Sequence, residues 1–190
     1  MIHLKQIDIY PENFPDTDLY PYHLDVLKET RSVSFDSPVT FFIGENGSGK
    51  STLLQALAQR CGIHIWQDED RPRMSHNPHE QDLYKSLLAS WSDGPVKGSF
   101  FSSRIFSHFA QNLEEWSVND TGMLDFFGGK SLITQSHGQS LMSYFKSRYT
   151  IKGLYFLDEP DTALSPASLV DLLNLLSRYN RDGEAQFIIA

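Results

Sequence analysis

The stretch PVTFFIGENGSGKSTLLQALA, residues 38–58, decides how the rest of the chain is read. Its first part, Val39-Thr40-Phe41-Phe42-Ile43, is a continuous apolar run of the kind that forms a buried strand. Its last part carries Leu53, Leu54, Ala56 and Leu57 at helical spacing. Between them, Gly44-Glu45-Asn46-Gly47-Ser48-Gly49-Lys50-Ser51 fits the pattern G-x-x-x-x-G-K-[ST]. Glycines 44, 47 and 49 free the backbone to curl so that its N–H groups converge on phosphate oxygens. A helix beginning near Lys50 turns its positive dipole end the same way. Lys50 is then placed for the β- and γ-phosphates of a nucleotide, and the Ser51 hydroxyl for Mg2+. A glycine turn without a ligand is the competing interpretation, but it does not require a strand before the turn and a helix after it.

Working outward, IHLKQIDIY (residues 2–10) alternates apolar and polar residues and predicts a half-buried strand. Residues 11–30, rich in Pro, Asp and Tyr, read as a connector. A short strand pair is expected in SVSFDSPVTFFI. Residues 66–98 are mostly polar with Pro and Gly punctuation and read as an insertion or flexible lobe. SFFSSRIF predicts a strand and SHFAQNLEEW a short helix. GLYFLD is a buried-strand run, SPASLVDLLNLLSRY a helix with Ser165 as N-cap and Pro166 in its first turn, and AQFIIA one more buried strand. Continuous apolar strands alternating with helices predict an α/β fold, a mostly parallel sheet flanked by helices. We expect one domain over residues 1–190, with a small helical or insert lobe at about 62–135.

Composition narrows the setting. Of the 190 residues, 40% are hydrophobic and 21% charged, the balance of a globular chain rather than a disordered one. A net charge of −8 argues against coating nucleic acid through the overall field, while leaving room for a local basic strip. The one cysteine, Cys61, cannot close an intramolecular disulfide. The first residues lack the regions of a secretion signal, and no apolar run approaches ~18 residues. A cytoplasmic location is expected.

GLYFLDEPDTALSP, residues 153–166, is the second candidate site. Two adjacent carboxylates ending a buried strand are costly unless they meet a cation or water. With a phosphate loop in the same chain, Mg2+ is the natural cation. Asp158 would hold it, usually through water, and Glu159 would polarise the attacking water. The alternative is a solvated Asp-Glu-Pro turn.

LYFLDEPDTALSP resembles the Walker B strand, catalytic Glu and D-loop of ABC-type ATPases. It is most similar to the soluble branch with the SMC, RecF and AAA-like predicted ATPases, and residues 38–58 match the same branch. The resemblance implies ATP and Mg2+ as ligands. It also implies Lys50 and Glu159 as catalytic residues, nucleotide contacts over Gly44, Glu45, Asn46, Gly47, Ser48, Gly49, Lys50, Ser51 and Thr52, metal contacts at Ser51 and Asp158, and a D-loop contact at Asp161. In such ATPases a signature loop opens a helix some twenty residues before Walker B. Ser136, Gly138 and Gln139 of SHGQS match its S-x-G-Q core, and Ser136 precedes Asp158 by 22 residues. Gln135 stands where Leu is usual and His137 where Gly is frequent. A Ser-capped helix start is the alternative at this stretch.

The resemblance further implies an ATP-dependent homodimer in which each copy completes the other's site. A nucleic-acid setting is implied by the branch alone. A transporter's ATP-binding subunit is a second possibility, and a nucleotide-sensing module with little turnover a third. No Gln suits a Q-loop near residues 95–106, and Gln111 falls late. The switch His of the family would come after QFIIA, where the sequence ends, so slow hydrolysis with retained binding is expected of these residues, whether fragment or short form. His76 and His79 have metal-like spacing but no accompanying pair. Cys61 and the Leu-rich stripe at 169–176 read as packing, and Asp68, Glu69 and Asp70 as a solvated face. Tyr10, Tyr20, Tyr22 and Phe35 are candidates to stack on adenine.

Overall fold

A computed structural model describes residues 1–65, 77–127, 129–149, 151–162, 164–181 and 184–190. In chain order the main elements are β1 (Leu4–Ile9), α1 (Asp25–Glu29), β2 (Ser32–Ser34), β3 (Val39–Phe41), α2 (Lys50–Arg60), β4 (Leu87–Trp91) and β5 (Gly98–Ser102). Then come α3 (Ser103–Asn119), α4 (His137–Arg148), β6 (Gly153–Asp158), α5 (Pro166–Arg181) and β7 (Ala185–Ile189).

The apolar runs assemble as an all-parallel sheet in the order β3-β7-β6-β5. Every residue of β6 and β7 is buried, which is why neither shows polar alternation in the sequence. Because strand side chains alternate between faces, the sheet feeds two cores. Phe101, Tyr155, Leu157, Phe187 and Ile189 join residues of α3, α4 and α5 on one side. Phe100, Leu154, Phe156 and Ile188 join α2 and β1 on the other. The first core is aromatic, with Phe101 and Phe145 edge-to-face at 4.9 Å and Tyr149 4.7 Å from Tyr155. Burial of each such side chain contributes ~1.5–3 kcal/mol against leaving it in water.

A second, antiparallel sheet has the order β2-β1-β4. Gln186 ties the two sheets together although it is a polar residue with no exposure. Its Oε1 accepts the N–H groups of His3 and Leu4, both at 2.8 Å, and its Nε2 donates to the Leu4 carbonyl at 3.0 Å. With its amide group so engaged, burial costs little.

Three expectations change. The strand pair expected before the glycine loop is split: β2 pairs with β1, while β3 pairs with β7 in the other sheet, and β3 is a three-residue edge strand rather than a buried run to Ile43, with Phe41 52% and Ile43 91% exposed. SFFSSRIF ends its strand at Ser102, and Ser103 already begins α3, which runs 17 residues rather than one short helix. The stretch 62–135 is more than a lobe, because it holds β4 of one sheet and β5 of the other. β4 gives no strand signal in the sequence because LLASW sets two leucines side by side, one buried and one exposed, and so lacks clean alternation. Residues 66–76, including Asp68, Glu69, Asp70 and His76, lie outside the described residues.

Candidate functional site

β3 delivers the chain into the glycine loop, and α2 starts at Lys50, so strand, loop and helix fall where the pattern requires. Gly47 (φ 82°) and Gly49 (φ 93°) take the left-handed conformation that lets the loop turn back on itself. A Cβ at Gly49 would also lie 2.9 Å from Leu24 Cδ1, so a larger residue there would be both strained and crowded. Residues 44–48 are exposed. The Lys50 ammonium donates to the carbonyls of Gly44 at 2.9 Å and Glu45 at 2.8 Å, which lays it across the loop.

β6 carries Asp158 to the same end of the sheet. Asp158 is 1% exposed, its Oδ2 accepts a long bond from Ser102 Oγ (3.4 Å), and among the described residues its Oδ1 has no partner at hydrogen-bond geometry. Burial raises its pKa and the neighbouring Glu159 adds to the rise, opposed by the hydroxyls of Ser51 and Ser102 and by Arg104. An orphaned, desolvated acid beside Ser51 is what a divalent cation would relieve. Among the described residues no three or more His, Cys, Asp or Glu side chains converge as a metal site. Asp158 and Ser51, the pair expected to hold Mg2+, would suit an ion that takes few protein ligands and completes its shell with phosphates and water.

Glu159 follows with a positive φ of 49°, unusual for a residue with a side chain. Its N–H donates to Ala190 O at 2.8 Å, its carbonyl accepts from Thr162 Oγ1 at 2.9 Å, and its carboxylate pairs with Arg104 at 3.1 Å. Asp161 is exposed, and its carbonyl accepts the Leu164 N–H in the turn toward α5. Ser165 caps α5 by accepting the N–H of Ser168 at 3.2 Å.

Ser136 and Gln139 meet at the start of α4, where the Ser136 N–H donates to Gln139 Oε1 at 3.2 Å in a capping-box arrangement. Both residues are exposed and Gly138 is half-buried. These three therefore form an open helix start, built on contacts within their own turn.

Of the four aromatic candidates, Tyr22 and Phe35 are sealed in the core at 0% and 2% exposure. Tyr20 is exposed and its hydroxyl contacts Thr52 Oγ1, beside the loop. His79 faces Asp82 at 3.6 Å. Burial pushes the Cys61 thiol up to about 12, which leaves it an inert packing group. The residue that sequence reasoning missed is Arg104. A cation two residues beyond an apolar strand is the signal it leaves in the sequence, and that signal does not name a partner.

The parallel sheet with its strand, glycine loop and helix has the P-loop NTPase fold. An AAA domain family model matches residues 22–76. The chain is also 28% identical over 164 residues to the ferric enterobactin transport ATP-binding protein FepC of Escherichia coli (strain K12), covering 77% of this chain and 59% of that protein. It is 25% identical over 160 residues to the iron(3+)-hydroxamate import ATP-binding protein FhuC of Bacillus subtilis (strain 168), with coverages of 76% and 59%. It is 29% identical over 161 residues to the achromobactin transport ATP-binding protein CbrD of Dickeya dadantii (strain 3937), with coverages of 75% and 58%. The matches thus span under two thirds of those proteins. Together with the order of the motifs, they support a P-loop ATPase of the ABC type. Among the described residues no helix is long and apolar enough to cross a membrane.

Proposed function

We propose that this chain binds and hydrolyses ATP as an ABC-type ATPase on the cytoplasmic side, and that two copies close on the nucleotide. The observation that carries this is Asp158, a buried carboxylate with an unpartnered oxygen beside Ser51 at the foot of the phosphate loop. Bound Mg2+ would neutralise phosphate charge there. Lys50 exchanges two neutral carbonyls for phosphate oxygens, because the phosphate offers its ammonium an opposite full charge where a carbonyl offers only a dipole. Glu159, half-buried at the strand end, orients water and takes its proton. The exposed Ser136, Gly138 and Gln139 offer a helix N-terminus to the phosphates held by a second copy, with Asp161 at the same interface.

The string DEPDTALSP supports a relative of the SMC and RecF branch, with a DNA-related partner process. The transport roles in the names of FepC, FhuC and CbrD favour a second reading, an ATP-binding subunit paired with a membrane permease. Against it, β5 is followed by Ser103-Arg104 where a Q-loop would supply Gln. Copurification with an integral membrane protein would decide for the transporter.

The test is phosphate release alongside magnesium-dependent binding of a fluorescent ATP analogue. Glu159→Gln is expected to keep binding and lose about 100-fold or more in kcat, whereas Lys50→Ala loses binding. Unchanged turnover in Glu159→Gln, or binding indifferent to Lys50, would overturn the proposal.

A further inference from the structure

We propose that Arg104 is the positioning residue for Glu159, holding its carboxylate in the one orientation from which it can engage the attacking water. This rests on the assignment of Glu159 as the residue that activates water.

The placement follows from the sheet register. Ser102, the last residue of β5, pairs directly with Asp158, the last residue of β6. Each chain then leaves the sheet at the same edge, so Arg104 and Glu159 emerge side by side, Nη2 to Oε1 at 3.1 Å. Two further contacts stitch the same junction: Ser102 Oγ donates to Asp158 Oδ2 at 3.4 Å, and Ser103 Oγ lies 2.9 Å from Thr162 Oγ1, donating to it because the Thr162 proton is taken by the Glu159 carbonyl. The start of α3 is therefore fastened to the acidic strand end by the two residues just before Arg104.

Glu159 needs such a partner. Its left-handed backbone is fixed from both sides, by Ala190 O and by Thr162. Such strain persists where the surroundings over-determine it and is a pointer to function. The backbone contacts set where the side chain leaves the chain, but not where its carboxylate ends. Arg104 supplies that last constraint. The Glu159 carboxylate, and more weakly Asp158, raises the guanidinium's pKa against the burial that lowers it.

The ion pair is open to water, with the two side chains 70% and 36% exposed. An exposed pair of this kind contributes little to folding, so stability does not account for the arrangement. Orientation does, because a misplacement of about 1 Å in a reacting group can cost about 100-fold in rate.

The test measures kcat, KM and the Kd of a fluorescent ATP analogue for the full chain, with Arg104→Gln, Arg104→Lys and Glu159→Gln. Arg104→Gln is expected to lower kcat about tenfold while KM and Kd stay within about twofold. Arg104→Lys restores most of the loss, since a single N–H to oxygen contact is all that must be remade. Three results would overturn the proposal: an unchanged kcat in Arg104→Gln, a fall in affinity equal to the fall in kcat, or a loss that Lys does not restore. Glu159→Gln separates the two levels. If it abolishes turnover while Arg104→Gln does nothing, only the positioning role falls; if it leaves turnover intact, both fall.

Discussion

At the scale of single residues, Asp158 sets stability against function. Burial makes the folded carboxyl hold its proton more tightly than the unfolded one does. In the pH window between its ordinary value and its raised folded value, the folded state binds more protons. Stability contributed by this group therefore falls as pH rises through that window, and the deficit is complete above the folded pKa. Asp158→Asn removes the deficit. We expect the nucleotide-free variant to melt about 2–4 °C above wild type at neutral pH, the shift that ~1 kcal/mol gives in a domain of this size. The gap should shrink as pH is lowered toward about 4. Adding Mg-ATP should reverse the order, because the variant lacks the Mg2+ contact that stabilises the wild type by linkage. Differential scanning fluorimetry across pH, with and without Mg-ATP, checks both; a variant less stable than wild type without nucleotide would contradict this role for Asp158.

At the scale of elements, what was legible in the sequence followed the strength of local patterning. GENGSGKS and LDEP each join an apolar strand to an abrupt polar turn, and both lie where that junction predicts. β4 and the split of β2 from β3 were not legible, because strand partnership is decided by residues far apart in the chain. Gln186 is a case in point: in AQFIIA it looks like a polar lapse, and its meaning comes from the backbone of His3 and Leu4, more than 180 residues earlier. Gln186→Leu leaves those buried N–H groups unpaired and should cost about 1–3 kcal/mol. Urea unfolding should show a lower midpoint with an unchanged slope, and a neutral result would show that the two sheets are not joined through this side chain. Arg104 was missed for the same reason, since its partner is 55 residues away.

At the scale of the whole molecule, the proposed mechanism leaves one copy incomplete. The phosphate loop and Asp158 share one end of the parallel sheet, whereas SHGQS opens α4, packed toward α5. Its capping box satisfies the helix start locally, so the chain alone gives Ser136 and Gln139 a structural role, and only a second copy would give them a ligand. The decisive measurement is molar mass by light scattering with and without Mg-ATP, using Glu159→Gln to prevent turnover and Ser136→Arg to block the helix start. If each copy completes the other's site, ATP doubles the mass of Glu159→Gln, and adding Ser136→Arg keeps it monomeric while nucleotide binding persists. A protein that binds ATP yet stays monomeric in Glu159→Gln would contradict the shared site.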